Sequence, residues 1–328
     1  MNTMKWLVRR EFWEHKGAMF WAPIVAAALL FCLVSGTVLY GAAQGEFQRE
    51  LSVKLASKGD RTIMIEKGLG ALPMEQKTQI AEIASNGYLA LAAPLFLMLA
   101  VISFFYCLSA LHEERRDRSI RFWKSLPVSD AQTVLSKVLT AGIVAPLITI
   151  AVGVFLSLLT LFVVAAVAAF EGINLFGMVL SNANFYLAPL ALVGLVPVYL
   201  VWALPTIGWL LMVSSWAKSK VFLWAVGAPL LVIGMLKWVN YIFGVGIRME
   251  WVAENILVRG LMGLVPGNWM GMVKMDKATM ANNTSMILSD IFTNSWMTLA
   301  TPQALIGAAA GAAMIFAAVR IRRWKDEG

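Results

Sequence analysis

Apolar runs at residues 17–43, 88–111, 132–170, 186–215, 221–245 and 302–319 decide what this chain can fold into. A bilayer core is crossed by roughly 20 apolar residues in a helix. Inside it every backbone amide and carbonyl must find a partner within the chain, which leaves helices or closed barrels. Runs of this length predict an all-α integral membrane protein with six transmembrane helices. Composition agrees: 59% of residues are hydrophobic, only 14% are charged, and the mean hydropathy is +0.73. Soluble domains carry about 25% charged residues. The first run follows Lys5, Arg9, Arg10 and Lys16. It outlasts the 7–15-residue apolar part of a signal peptide, so it reads as a retained span.

The third run would extend ~58 Å as one helix at 1.5 Å per residue, long enough to hide two spans. Charge decides against a split. With six spans and a cytoplasmic N-terminus, Arg115, Arg116, Arg118, Arg121, Lys124, Lys137, Lys218, Lys220 and the "RIRRWK" tail all lie on the N-terminal side. Two spans there would place Lys218, Lys220 and the tail outside, against the positive-inside rule. The reading is therefore one long helix projecting past the bilayer, with both termini cytoplasmic. The net charge of +8 is membrane orientation, and no nucleic-acid partner is expected.

Enzyme chemistry is not legible. No GxxxxGK[ST] phosphate loop occurs, so ATP hydrolysis by that route is expected elsewhere. No HExxH occurs, the only histidines are His15 and His112, and Cys32 and Cys107 sit in apolar runs. No metal site, cofactor or catalytic residue is assigned to the chain. Ion-coupled pumps place ionisable groups deep in their spans, and here Lys237 is read as the one clear case. Its position beside Trp238 and Tyr241, near the outer boundary, fits a snorkelling lysine.

Other features shape the helices. Pro189, Pro197 and Pro205 predict a bent fourth span, either moving with function or merely accommodated by packing. "GAAAG" at 307–311 permits close backbone approach, between protomers or within one. Residues 44–86 form a polar outer segment. Residues 246–301 form a second one whose "ILVRGLMGLVPGNWMGMV" is too interrupted to span and reads as re-entrant or interfacial.

The most charged stretch is "HEERRDRSIRFWKSLPVSD", residues 112–130. On a helix Glu114 pairs with Arg118 and Asp117 with Arg121. Ile120 and Trp123 share a side, Phe122 and Leu126 add apolar area, and Pro127 ends the helix. Ser129 and Gln132 then form a capping box opening the third span. A solvated loop obeying the charge rule has no need of an aromatic pair or a rigid connection.

"EERRDRSIRFWKSLPVSDAQTVLSKVL" resembles the stretch after the second span of ABC-2-type exporter permeases, which have the type V fold. Glu113, Glu114, Arg115, Arg116, Lys124, Ser125, Leu126, Pro127, Val128 and Ser129 carry the likeness. The resemblance implies that Glu114, Arg115, Arg116, Asp117, Arg118, Arg121, Phe122, Trp123, Lys124, Leu126 and Pro127 belong to a coupling helix docking on a separate ABC ATPase. It implies two ATPase copies holding ATP and Mg, a homodimer or a heterodimer with a sibling permease, and a bacterial cytoplasmic (inner) membrane. It covers the chain as one transmembrane domain, 1–328.

The resemblance also implies an amphipathic elbow helix over residues 1–16. Trp6, Arg9, Arg10, Phe12 and Trp13 are its candidate residues, and Met4, Leu7, Val8 and Phe12 share its apolar face, which Glu11 interrupts. The substrate path would lie at the dimer interface, with Phe20, Trp21, Phe31, Phe104, Phe105 and Trp209 as candidate lining for an amphiphile such as a drug, antibiotic, peptide or lipid. Ordinary lipid or helix packing explains each aromatic as well. The expected function is export of that amphiphile. The alternative is a mechanotransmitting subunit that uses the ATPase to move a partner protein.

Overall fold

The computed structural model describes residues 3–44, 84–85, 87–117, 128–170, 172, 174–244, 246, 248, 252–253, 257, 259–272 and 288–325. Among these there are helices and turns and no strands. Helices long and apolar enough to cross a membrane occupy Gly17–Ala43, Tyr88–Arg116, Asp130–Phe170, Ala183–Trp216, Leu223–Phe243 and Pro302–Trp324. They are called spans 1 to 6. Span 3 is continuous over 41 residues, as the charge argument expected. An elbow helix, Thr3–Glu14, precedes span 1 and packs on the start of span 3.

The spans are not uniform α-helices. Gly17–Trp21, Thr140–Val144 and Leu223–Gly227 are wide π turns. Each is followed by an Ala-Pro pair, at Pro23, Pro146 and Pro229. Proline has no N–H to give and crowds the preceding turn. A widened turn accommodates both effects without ending the helix. Span 4 solves the same problem by breaking: Ala183–Gly194 ends at Leu195, and Val196–Trp216 restarts with Pro197 in its first turn. The bend foreseen from the prolines is thus a discontinuity at Leu195, while Pro189 and Pro205 stay inside helix.

Span 4 forms the centre. Val198, Tyr199, Trp202, Ala203, Ile207, Leu210 and Leu211 are buried in one core with Leu99, Cys107 and Leu111 of span 2, Val134 and Val138 of span 3, and Ala304 and Ala318 of span 6. The tightest pairing is span 4 against span 6. A Cβ on Gly311 would come within 2.6 Å of the Leu204 carbonyl group, and one on Gly208 within 2.5 Å of the Gly311 oxygen. The small-residue motif of span 6 is therefore used inside the protomer, where it lets two backbones meet. Span 5 lies at the periphery and buries little besides Ala225.

The described part of the second outer segment packs on span 4. Arg259–Leu261 and Asn268–Met272 are short helical turns, and Leu264 and Trp269 enter the core. Their irregular backbone is satisfied by span 4: the Tyr199 hydroxyl donates to the Leu264 carbonyl (3.2 Å), and Thr206 Oγ1 bonds both the Arg259 carbonyl and the Gly263 N–H (3.1 Å each). Non-helical backbone is tolerated at membrane depth only when protein supplies such partners.

Candidate functional site

The charges at the N-terminal end of the bundle converge. Glu11 projects from the elbow helix beside buried Leu7 and is itself fully buried. The Tyr106 hydroxyl of span 2 donates to its Oε2 (2.8 Å), and Lys137 Nζ of span 3 donates to its Oε1 (2.9 Å). The same ammonium lies 2.9 Å from Oε1 of Glu114, near the end of span 2. Arg322, in the last turns of span 6, donates from Nη1 to Glu114 Oε2 (2.5 Å) and from Nε to Asp130 Oδ1 (3.0 Å). Arg10 pairs with Glu14 at 2.7 Å and approaches Glu114 at 3.7 Å.

Taking such groups out of water costs several kcal/mol per ion, recovered only where geometry is good and the remaining hydrogen bonds are made. Here each central group has more than one partner. A cluster of this kind holds its members in one arrangement, because moving any one strands a charge.

Its location gives the cluster its interest. Glu114 lies one turn before residue 118 and Asp130 three residues after 127, so Arg322 grips both flanks of the 118–127 segment. Ser129 caps span 3 in the expected capping box: its Oγ accepts from the Gln132 N–H and its own N–H donates to Gln132 Oε1, both at 3.2 Å. A second clamp joins span 2 to the end of span 4. Ser214 Oγ accepts from the Leu111 and His112 N–H groups, and the Arg115 guanidinium donates to the Ser214 and Ala217 carbonyls. These are orphan carbonyls of a helix end, where a cation is favoured.

The residues expected to couple therefore divide. Glu114 and Arg115 turn inward onto the bundle. Arg116 and Asp117 face outward and touch each other at 3.3 Å. Arg118, Arg121, Phe122, Trp123, Lys124, Leu126 and Pro127 lie outside the described residues, as do the helical pairs foreseen for Arg118 and Arg121. In the elbow helix Trp6, Arg9 and Trp13 are exposed, and Arg10 and Phe12 are half-buried.

The aromatics proposed for a substrate path do not meet in one cavity. Phe20 and Trp21 pack edge to face beside Phe12. Phe104 and Phe105 gather with Phe222 of the segment leading into span 5. Phe31 lines an apolar groove between spans 1 and 3. Trp209 donates to the Ala225 carbonyl (2.9 Å).

Lys137, counted from the sequence among the cations of the N-terminal side, lies there and is 1% exposed, while Lys237, read as a snorkelling lysine, is exposed on span 5. One sequence reading needs correction. Glu11 is no flaw in the elbow's apolar face, since it is the group that fastens that face to span 3. The pairing was hidden because its partners stand 126 and 208 residues apart; the legible signals were lone charges on otherwise apolar faces. The carboxylates of Glu11 and Glu14 lie near His15, but lysine, tyrosine and arginine already occupy them.

Residues 83–193 match the family model described as ABC-2 family transporter protein. Over that segment the chain is similar to ABC-2-type permeases. The segment runs through span 2, the charged 112–130 stretch, span 3 and the first part of span 4, and so contains Glu114, Asp130 and Lys137 of the cluster. Searches of curated proteins and of solved structures found no match. An ABC-2-type permease is a membrane subunit that works with an ABC ATPase, and the six membrane-length helices fit a multi-pass protein of that kind.

Proposed function

We propose that this permease is the transmembrane subunit of an ATP-driven exporter, moving an amphiphile out of the cytoplasm or inner leaflet while separate ATPase subunits hold ATP and Mg. The observation that carries the reading is the double grip of Arg322 on Glu114 and Asp130. A loop with no mechanical task has no need for both ends to be tied, through buried charges, to the elbow helix and span 6. In this reading the 118–127 segment docks on the ATPase, with Arg121, Phe122 and Trp123 as anchors. The cluster then passes its displacement to spans 2, 3 and 6 together. Such coupling requires that the ATPase bind the permease's states with different affinity. The working unit is a dimer of this chain or a pairing with a sibling, set in a bacterial inner membrane with both termini cytoplasmic.

The test is to purify the permease carrying Arg121→Ala and Trp123→Ala and measure the ATPase that accompanies it at matched membrane insertion. Truncating aromatic and arginine anchors costs ~2 kcal/mol or more, roughly a thirtyfold loss of affinity. Full retention of the ATPase would remove the docking assignment.

A further inference from the structure

At the other end of the bundle one cation is buried with no ion pair among the described residues. Arg259 is 7% exposed. Its guanidinium lies over the Trp202 ring at 5.0 Å and donates to the Gln303 carbonyl. Gly307 forms the bed on which it lies, since a Cβ there would come within 2.6 Å of Nη2. Nε has no hydrogen-bond partner, and among the described residues no carboxylate forms an ion pair with Arg259. Burial pulls its pKa below the ordinary arginine value, yet arginine keeps its proton in proteins. A buried charge is costly unless paired, and what this one lacks among the described residues is an anion.

Arg259 lines a half-open cavity of about 640 Å³ between spans 4, 5 and 6. The rest of its wall is almost wholly apolar: Pro205, Trp209, Val232, Ile306, Ala310 and Met314 run away from the guanidinium. From Gln303 to Met314 the groove follows span 6 for ~16 Å at 1.5 Å per residue, about one leaflet of a ~30 Å hydrocarbon core. It begins at the first turn of span 6, the level at which lipid headgroups meet hydrocarbon.

We propose that this groove holds one anionic phospholipid, its phosphate on Arg259 and an acyl chain laid along span 6. A free anion would satisfy the guanidinium and leave the apolar groove unexplained. A neutral lipid would fill the groove and leave the charge unanswered. The site depends on neither the ATPase nor the direction of transport, so it stands or falls apart from the proposed function.

The test uses the purified, delipidated permease, offered phosphatidylglycerol or phosphatidylcholine of identical chains, with bound lipid counted by native mass spectrometry. The unmodified protein should retain phosphatidylglycerol at least tenfold better than phosphatidylcholine. Arg259→Gln should bring the two to the same level. Ala310→Trp obstructs the groove while leaving Arg259 in place, and should lose the phosphatidylglycerol although the charge remains; it keeps the test decisive if Arg259→Gln fails to fold. Equal retention of both lipids by the unmodified protein overturns the proposal. So does undiminished phosphatidylglycerol on Ala310→Trp, or displacement of the lipid by millimolar inorganic phosphate, which would mark a simple anion site.

Discussion

The two ends of the bundle bury cations by opposite means. At one end Lys137 and Arg322 are surrounded by carboxylates from the elbow helix, span 2 and span 3. At the other Arg259 rests on an indole face, a glycine and a single carbonyl, with no ion pair among the described residues. The first arrangement is closed, because each charge is answered by another from the same chain, and it ties four helical elements together. The second is incomplete, and incompleteness beside a groove points to a ligand. Burial alone thus says little about a charged residue's task; how its partners are supplied says more.

The strongest way to break this comparison is to remove Lys137. Lys137→Met leaves Glu11 and Glu114 facing each other without their shared cation. Breaking a buried pair in this way costs roughly 3–5 kcal/mol, so unfolding in mixed micelles should show a large loss of stability. A change below about 1 kcal/mol would mean that the cluster is not closed. Next in size is Gly311→Leu, which drives a side chain into the Leu204–Pro205 backbone. Overpacking of this kind costs about 1–3 kcal/mol, and it should separate spans 4 and 6 within the protomer, read as lost yield and lowered thermal stability. A fully stable variant would show that the two backbones do not meet.

Arg259→Met sharpens the contrast from the other side. It strands no carboxylate of the described residues and removes mainly a cation–π contact worth about 1–2 kcal/mol when desolvated. Its destabilisation should therefore be clearly smaller than that of Lys137→Met in the same assay, and the reverse order would invert the account. Smallest is Glu11→Gln, whose amide oxygen still accepts from Lys137 while its NH2 group turns to the Tyr106 hydroxyl as a donor, and which leaves Glu114 to pair with the ammonium. Hydrogen bonds to charged groups exceed neutral ones by about 1 kcal/mol, and the stability loss should be near that figure.

Much of the architecture was legible because membrane helices announce themselves by length and apolarity. The continuity of span 3 followed from charge bookkeeping alone, and the Ser129 capping box from four residues of sequence. The Ala-Pro pairs at Pro23, Pro146 and Pro229 carried a signal for local widening that hydropathy does not register. The motif at Gly307 and Gly311 shows the limit of pattern reading. Both glycines are needed for close approach, but one receives backbone and the other a guanidinium, from partners that spacing cannot name. The charge cluster was illegible for a related reason: Glu11, Glu114, Asp130, Lys137 and Arg322 each look like membrane-edge charges until folding brings them into contact.

The central claim is that this cluster makes the elbow helix, the flanks of the 118–127 segment and the end of span 6 move as one body, as the proposed coupling to an ATPase requires. Spin labels at the exposed positions of Trp13 and Trp324 report that directly in the proposed permease–ATPase complex. The account predicts one narrow distance distribution, unchanged on adding ATP, and a broad or ATP-dependent one once Arg322→Gln releases Glu114 and Asp130. A distance that shifts by several ångströms with ATP while Arg322 is intact would contradict it.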